Sequence, residues 1–503
     1  MQRINSKNIK KIIAKLKKNK KKIGLVHGVF DVLHAGHLLY FEEAKKNVDF
    51  LIASVTSDKY AMKAPGKPIF GIENRSKVLQ SLKSIDYVIE SNYPTAVNVI
   101  NDIKPSIYFK GKDYLKNKDL SGNLKKEIAA IKKNKGKFLI TNSKLYSSSR
   151  IINEKFDYLN KDAKNFLNKY DKKNLRNKIE LFQNLNKKIL VIGDPILDIY
   201  KMVSPSGKSN KANVLSTRIL SEKLYAGGSL LVSNILKNFS KNITYLTISN
   251  KKNKKYFNKL LNHKIKKALI NSNIGLIEKV RYLDDYYLNK LFQVTQNEDL
   301  ELNNKSKKNI LNYVRKNFQK FDKIFVFDYG YFTVFKDLLK LFNNNKSIQK
   351  KLIINCQSNS YNFGFNLANK YKSGEIMAMD EIEFRLCCKD RKTEMQKLIK
   401  QNIHLFNKFK ILIVTQGKNG SYIILGKKLY YVPTVFKFAK DTIGCGDVFL
   451  AIFGLAYTSK LFNLVDVALI SHMAAGIHAN YQGNENYITN KKLIETVKNI
   501  IKK

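Results

Sequence analysis

Apolar residues in the first part of this 503-residue chain fall in short runs that alternate with amphipathic stretches. Ile23–Val29 and Phe50–Thr56 are nearly continuous apolar runs, the pattern of strands buried on both faces. Leu38–Lys46 and Arg75–Leu82 carry their apolar residues at helical spacing, and Tyr87–Ile89, Ala96–Ile103, Ile107–Lys110 and Phe138–Ile140 keep up the alternation. Strand and helix in turn predict an α/β domain, a parallel sheet with helices on both faces. Such sheets bind ligands beyond the carboxyl ends of their strands, where the strand order reverses. The turn after the first strand is therefore the first place to look for chemistry.

Residues 153–187 break the rhythm. They are polar, charged and free of strand pattern, and read as a helical linker. A fresh apolar run at Ile189–Gly193 opens a second alternating region, with short strands expected at Ile243–Ile248, Ile324–Phe327, Leu352–Asn355 and Ile411–Thr415. The expected organisation is two doubly wound α/β domains, residues 1–152 and 188–503, joined by that linker. The longest apolar run, Val448–Tyr457, is too short to cross a bilayer, so no membrane partner is expected. Met1–Lys22 is basic with no apolar core, so no secretory signal is expected. None of the four cysteines has paired zinc-ligand spacing, and Cys387 and Cys388 are adjacent; a reducing, cytoplasmic setting is the natural one.

The formal net charge of +52 invites a nucleic-acid reading. Its make-up argues otherwise. Of 92 basic residues only nine are arginine, the residue that reads phosphates and bases bidentately, and the lysines are spread along the whole chain. No nucleic-acid partner is expected, although the field attracts small anionic substrates.

Two turns carry the candidate chemistry. The first is His27-Gly28-Val29-Phe30-Asp31-Val32-Leu33-His34-Ala35-Gly36-His37, where a strand gives way to a helix. Glycines admit a close backbone approach, and the free N–H groups and dipole of a helix start favour phosphate. Two imidazoles add positive charge there. This stretch resembles the His-x-Gly-His nucleotidyltransferase superfamily, which includes cytidylyltransferases and sugar-phosphate adenylyltransferases. Further pieces agree in order: Ser57-Asp58, Glu73-Asn74-Arg75, Lys110-Gly111-Lys112-Asp113-Tyr114 and Ser147-Ser148-Ser149-Arg150. The resemblance implies a reaction without a protein nucleophile, in which a substrate phosphate oxygen attacks the α-phosphorus of a nucleotide and pyrophosphate leaves. It implies that His34 and His37 steady the transition state. Gly28, Phe30, Asp31, Gly36, Lys63, Arg75, Lys110, Ser148 and Ser149 then bind the nucleotide, with Lys67 an alternative to Lys63 and Asp31 ordering the turn or, alternatively, holding a divalent ion.

The second turn, Asp441-Thr442-Ile443-Gly444-Cys445-Gly446-Asp447, opens an apolar helix. It is similar to the Asp-Thr-x-Gly-Ala-Gly-Asp signature of ribokinase-type sugar kinases, with Cys445 in place of alanine. Gly193-Asp194-Pro195-Ile196-Leu197-Asp198, Gly227-Gly228, Asp328-Tyr329-Gly330 and Thr415-Gln416-Gly417-Lys418-Asn419-Gly420 extend the likeness over about residues 188–503. It implies that Asp447 takes the proton of an attacking sugar hydroxyl. Gly444, Cys445 and Gly446 form an anion hole for the moving phosphoryl group, Thr415, Gly417, Gly420 and Thr442 contact the nucleotide, and Asp198, Gly227 and Gly228 bind the sugar. Glu383 would hold a water of a bound Mg²⁺. Three positions depart from the pattern: Leu231 replaces the asparagine of Gly-Gly-x-x-Asn, Asp380 that of Asn-x-x-Glu, and Tyr331 the lysine of Asp-Tyr-Gly-Lys.

Together the halves resemble the bifunctional heptose 7-phosphate kinase and heptose 1-phosphate adenylyltransferases, with the two domains in swapped order. The resemblance implies synthesis of a nucleotide-activated sugar for a surface polysaccharide, from a sugar phosphate and ATP, with Mg²⁺, in a homo-oligomeric, dimeric enzyme. Rival readings are CTP in place of ATP at the first site, giving a CDP-alditol or CDP-sugar, and a kinase-like half that is an inactive scaffold.

Overall fold

The computed structural model describes residues 6–61, 68–111, 123–141, 159–209, 211–286, 289–298, 300–485 and 487–501. The chain divides into two compact units, Met1–Tyr158 and Leu159–Lys503.

In the first unit, strands β1 (Ile23–Gly28), β2 (Phe50–Thr56), β3 (Tyr87–Ser91), β4 (Ile107–Lys110) and β5 (Lys137–Ile140) form a parallel sheet of order β3-β2-β1-β4-β5. The order reverses beside β1, so the turn that follows β1 lies at the switch point. Alternate residues of β1 feed two cores. Ile23 and Leu25 pack with Ile100, Ile103 and Ile131 from helices Val97–Ile103 and Asn123–Lys133. Val26 packs with Phe41, Ala44 and Leu79 from helices Ala35–Lys45 and Ile72–Gln80. Each fully buried side chain of this kind stabilises the fold by roughly 1.5–3 kcal/mol, which fixes the strand register and with it the place where β1 ends. The strands begin and end within a residue or two of the apolar runs that predict them.

The second unit begins earlier than its first predicted strand. Helices Lys161–Lys169 and Lys173–Lys178, in the region read as a linker, pack on this unit. The Tyr170 hydroxyl donates to Asp466 Oδ1 (2.9 Å) and Asn174 Nδ2 to Asp466 Oδ2 (2.6 Å). Strands β6 (Leu185–Gly193), β7 (Pro195–Lys208), β8 (Leu215–Gly227), β9 (Ser240–Ser249), β10 (Lys266–Asn271), β11 (Ile277–Asp284), β12 (Lys290–Gln296), β13 (Lys323–Asp328), β14 (Leu352–Cys356), β15 (Gly374–Asp380), β16 (Phe409–Thr415), β17 (Ser421–Leu425) and β18 (Lys428–Val432) make two sheets. The larger, ordered β10-β9-β6-β13-β14-β15-β16-β17-β18, is parallel as far as β16 and antiparallel at β17 and β18. Its switch point lies between β6 and β13. Helix Cys445–Ser459 is apolar on every side because it is sandwiched between helices Gly228–Phe239 and Leu464–His478 and strands β13 to β15.

The smaller sheet, ordered β12-β11-β7-β8, does not follow from the apolar pattern. Most of β8 and all of β12 are exposed or half-buried, so neither presents the continuous apolar run that marks a buried strand. β7 is buried over most of Pro195–Val203, and β8 at its last three residues. Among the described residues no helix is long and apolar enough to cross a membrane.

Candidate active sites

In the first unit β1 ends at Gly28 and helix Ala35–Lys45 begins seven residues later. Phe30 turns the chain with φ 49°, a left-handed value rare for a residue with a Cβ. Its buried ring stands edge-on to His37 (centroids 5.9 Å apart) and Phe41 (5.2 Å). A Cβ at position 28 would come within 3.1 Å of that ring, so the aromatic turn requires Gly28. His34 enters the helix in an extended conformation (φ −145°, ψ 169°) with no side-chain cap, and Gly36 is buried in the first turn. The first amides of such a helix find no acceptor within it and suit an anion. The rings of His34 and His37 lie 4.1 Å apart. Burial lowers the pKa of His34, and burial together with His34 lowers that of His37 to about 4. Without a bound anion His37 is therefore neutral at pH 7. It offers a neutral imidazole N–H, not the positive charge expected of it.

Asp31 and Arg75 tie this turn to the rest of the unit. Asp31 accepts from the amides of Ile69 (2.8 Å) and Phe70 (3.0 Å). The buried Arg75 guanidinium donates to the carbonyls of Val29 (2.5 Å), Thr56 (3.0 Å) and Phe70 (2.8 Å) and to Asp58 Oδ1 (2.5 Å). Its donors face these groups, where the family resemblance places them at a nucleotide. Lys110, at the end of β4, is also buried, 3.4 Å from Glu127 and over the Tyr108 ring. Lys63, Lys67, Ser148 and Ser149 lie outside the described residues.

In the second unit the turn Asp441–Asp447 is held from below. Asp441 Oδ1 pairs with Lys290 of β12 (2.7 Å) and accepts from Ile443 N (3.1 Å), while Oδ2 accepts from Tyr200 (3.1 Å) and Gly483 N (2.9 Å). Burial opposes the charge on Asp441, but these partners outweigh it and lower its pKa. Gly444 caps helix Cys445–Ser459 at φ 75°, and a Cβ there would lie 2.9 Å from Leu231. Leu231, in place of the expected asparagine, thus packs under the turn. Burial pushes the Cys445 thiol up to about 12, so Cys445 serves the turn as a small apolar residue.

Thr415, Gly417, Gly420, Thr442, Gly444, Cys445, Gly446, Glu383 and Asp447 all line one cavity of about 460 Å³. Sequence separations of up to sixty-odd residues close to a single site because β15 and β16 are neighbours and helix Cys445–Ser459 starts above them. Asp447, 6 % exposed, accepts at Oδ1 from Asn355 Nδ2 (3.0 Å) and Gln357 Nε2 (2.7 Å). Burial raises its pKa to about 6, against the Tyr329 hydroxyl, these two amides and the charge of Lys279. Asp380 and Glu383 form a capping box: Glu383 N donates to Asp380 (2.7 Å), Asp380 N to Glu383 Oε2 (2.7 Å), and Ser358 N to Glu383 Oε1 (3.0 Å). Burial and the neighbouring Asp380 push Glu383 up to about 8. Among the described residues no group of three or more His, Cys, Asp or Glu side chains is placed to hold a metal ion.

Asp198, Gly227 and Gly228 lie on the other side of the turn. Asp198 pairs with Arg281 of β11 and accepts from Asn484 Nδ2 (2.9 Å). A side chain at Gly227 would collide with that carboxylate. Asn484 also faces Gly444 and so joins Asp198 to the turn, supplying an amide that position 231 lacks. Lys279, two residues before Arg281 on β11, lies over the ring of Tyr331, the residue that stands in the lysine position of Asp-Tyr-Gly-Lys. Spacing along the chain gives no sign of Lys279, Lys290, Asn355, Gln357 or Asn484. Arg281, one of nine arginines and set in an apolar stretch, is the one with a signal in its composition.

Residues 25–154 match the cytidylyltransferase-like family and residues 335–487 the pfkB family of carbohydrate kinases. The chain thus carries a region similar to cytidylyltransferases followed by a region similar to pfkB carbohydrate kinases. Among curated relatives it is similar to the bifunctional protein HldE of Helicobacter pylori strain J99, 34 % identical over 146 residues, 29 % of this chain and 30 % of the relative. HldE of Aliarcobacter butzleri is 40 % identical over 116 residues, 23 % and 24 % of the two chains. The chain thus spans under a third of the length of these relatives. Among solved structures, phosphofructokinase-2 from Escherichia coli in complex with substrates and products aligns over its whole length and 63 % of this chain, with a TM-score of 0.51 at 12 % identity. That likeness is one of fold.

Proposed function

We propose that this chain is a bifunctional enzyme of nucleotide-sugar synthesis: its second unit phosphorylates a sugar or sugar phosphate from ATP, and its first unit transfers a nucleotidyl group to a sugar 1-phosphate and releases pyrophosphate. The product would be ADP-heptose-like, a precursor for a surface polysaccharide, made in the cytoplasm. The observation that carries this reading is the convergence of Asp447, Glu383 and the glycine turn Gly444–Gly446 on one cavity, in a chain whose other unit sets His34 and His37 at the end of β1.

In the kinase reaction an acceptor hydroxyl attacks the γ-phosphorus as Asp447 takes its proton, and ADP leaves with the electrons of the broken P–O bond. The amides of Gly444 and Gly446 face the charge that builds on the moving phosphoryl group, and that of Cys445, which donates to Thr442 O (3.2 Å), joins them on leaving that bond. Thr415, Gly417, Gly420 and Thr442 seat the nucleotide. Bound Mg²⁺ would neutralise the polyphosphate, with Glu383 holding one of its waters. Asp198, fixed by Arg281 and Asn484, accepts from the sugar hydroxyls beside Gly227 and Gly228. In the nucleotidyl transfer the protein supplies no nucleophile. His34, His37 and the amides at the start of the helix, Ala35 and Gly36, place the triphosphate and stabilise the α-phosphorus transition state, while Gly28, Phe30, Asp31 and Arg75 hold the turn in shape. Lys63, Lys110, Ser148 and Ser149 are the remaining candidates for the leaving phosphates. A homodimer is the assembly expected.

The test is incubation with Mg²⁺, ATP or CTP and a panel of sugar 7-phosphates and 1-phosphates, with products read by mass. Appearance of both a bisphosphate and a nucleotide sugar supports the proposal. A CDP product assigns CTP to the first site, and absence of any bisphosphate removes the kinase activity.

A further inference from the structure

The base of the kinase reaction is fastened in a way that its sequence motif does not contain. Asp447 sits in the first turn of helix Cys445–Ser459, and a carboxylate on a single Cβ is free to turn about χ2. Here one of its oxygens is gripped twice. Asn355, in the last residues of β14, donates from Nδ2 to Oδ1 at 3.0 Å, and Gln357, just beyond the strand, donates from Nε2 to the same oxygen at 2.7 Å. Both donors are fixed in turn. Asn355 is buried and paired in the sheet with Phe327 and Ala378. The backbone of Gln357 donates to Asp328 O (2.9 Å) and accepts from Asn366 Nδ2 (2.9 Å).

We propose that Asn355 and Gln357 are positioning residues for Asp447: two neutral amide donors on Oδ1 set the plane of the carboxylate and reserve Oδ2 for the proton of the acceptor hydroxyl. This rests on the reading of Asp447 as the base. Neutral amides suit the task better than cations. An amide donates to the oxygen of a carboxylate and, more weakly, to the carbonyl oxygen of the protonated acid, so the grip persists through proton transfer while still favouring the charged form. A cation there would hold Asp447 ionised and weaken it as a base. The step balances: the O–H bond of the acceptor breaks as Oδ2–H forms, the acceptor oxygen bonds to the γ-phosphorus, and ADP departs with the bridging-oxygen electrons. The other groups that bear on this carboxylate are Lys279 from β11, the buried Tyr329 hydroxyl after β13, and Glu383 and Cys445 beside the cavity.

The experiment uses the full-length enzyme with MgATP and a heptose 7-phosphate, reading ADP release against pH for wild type, Asp447→Asn, Gln357→Leu, Asn355→Leu and the isosteric Gln357→Glu. Loss of either donor removes a bond to the charged form, so the acid limb moves up by about one pH unit. Turnover at the optimum falls on the order of a hundredfold with little change in KM for ATP. Gln357→Glu keeps the shape but sets a second carboxylate on the first, and its acid limb moves further up than that of Gln357→Leu. If Asp447→Asn is inactive while both Gln357 variants keep the wild-type pH midpoint and turnover, the inference fails and the base assignment stands. If Asp447→Asn turns over like wild type, or wild type releases no ADP, the base assignment fails and takes the inference with it. A lowered thermal midpoint without a shifted acid limb identifies a merely structural role.

Discussion

The substitution Asp447→Asn should stabilise the second unit while it stops phosphoryl transfer. Asp447 is almost fully buried, and burial raises its pKa from the ordinary 3.8 to about 6. The folded state thus holds this proton more tightly than the unfolded chain. Ionising the group costs folding free energy that grows as pH rises from the lower value through the upper one. Taken to completion, the shift is worth about 3 kcal/mol. Asparagine is never ionised and keeps an oxygen for the donors Asn355 and Gln357. The variant should therefore exceed wild type by about 1 kcal/mol at pH 4.5 and by about 3 kcal/mol at pH 7.5. Denaturant unfolding of both proteins at a series of pH values, followed by a probe confined to the second unit, measures the difference. ADP release measured alongside should fall by several orders of magnitude. A variant less stable than wild type at pH 7.5, or a difference that does not change with pH, would refute the electrostatic reasoning even if activity is lost.

Three further outcomes are expected. His37→Ala should abolish pyrophosphate release and leave ADP release intact, with Asp447→Asn doing the reverse; joint loss from either change in a folded protein would deny independent centres. Arg75→Met removes a buried guanidinium from three carbonyls and Asp58. It should lower the stability of the first unit by about 2–3 kcal/mol, less than for a wholly buried pair because the Asp58 side chain is 45 % exposed; retained stability with lost nucleotide affinity, read by calorimetry, would move Arg75 to the ligand. Glu383→Gln should raise the Mg²⁺ concentration for half-maximal ADP release several-fold and leave nucleotidyl transfer unchanged, and an unaltered Mg²⁺ dependence would separate Glu383 from the cation.

Much of this was legible in the chain. Runs such as Phe50–Thr56 and Ile107–Lys110 became strands with the same bounds, because residues buried on both faces have no polar alternative and their limits show in composition. The two glycine turns were equally plain. Gly28 and Gly444 stand where a Cβ would strike Phe30 or Leu231, and such local demands leave a local mark. The outer strands of the smaller sheet left none, since strands exposed on both faces mix apolar and polar residues as loops do.

What the sequence determined by itself was therefore the alternation of strand and helix, the place of each turn, and the residue types that meet phosphate. What only the tertiary structure decided was how each charged side chain is used. Arg75 and Asp31 turn inward as braces, His37 is neutral under burial, Asp198 is met by Arg281 and Asn484, and Asp447 is gripped by Asn355 and Gln357. The reason is physical. Backbone conformation follows from neighbours in the chain, whereas the protonation and direction of a buried polar group follow from neighbours in space, and those come from segments far along the chain, as Asn484 does for Asp198.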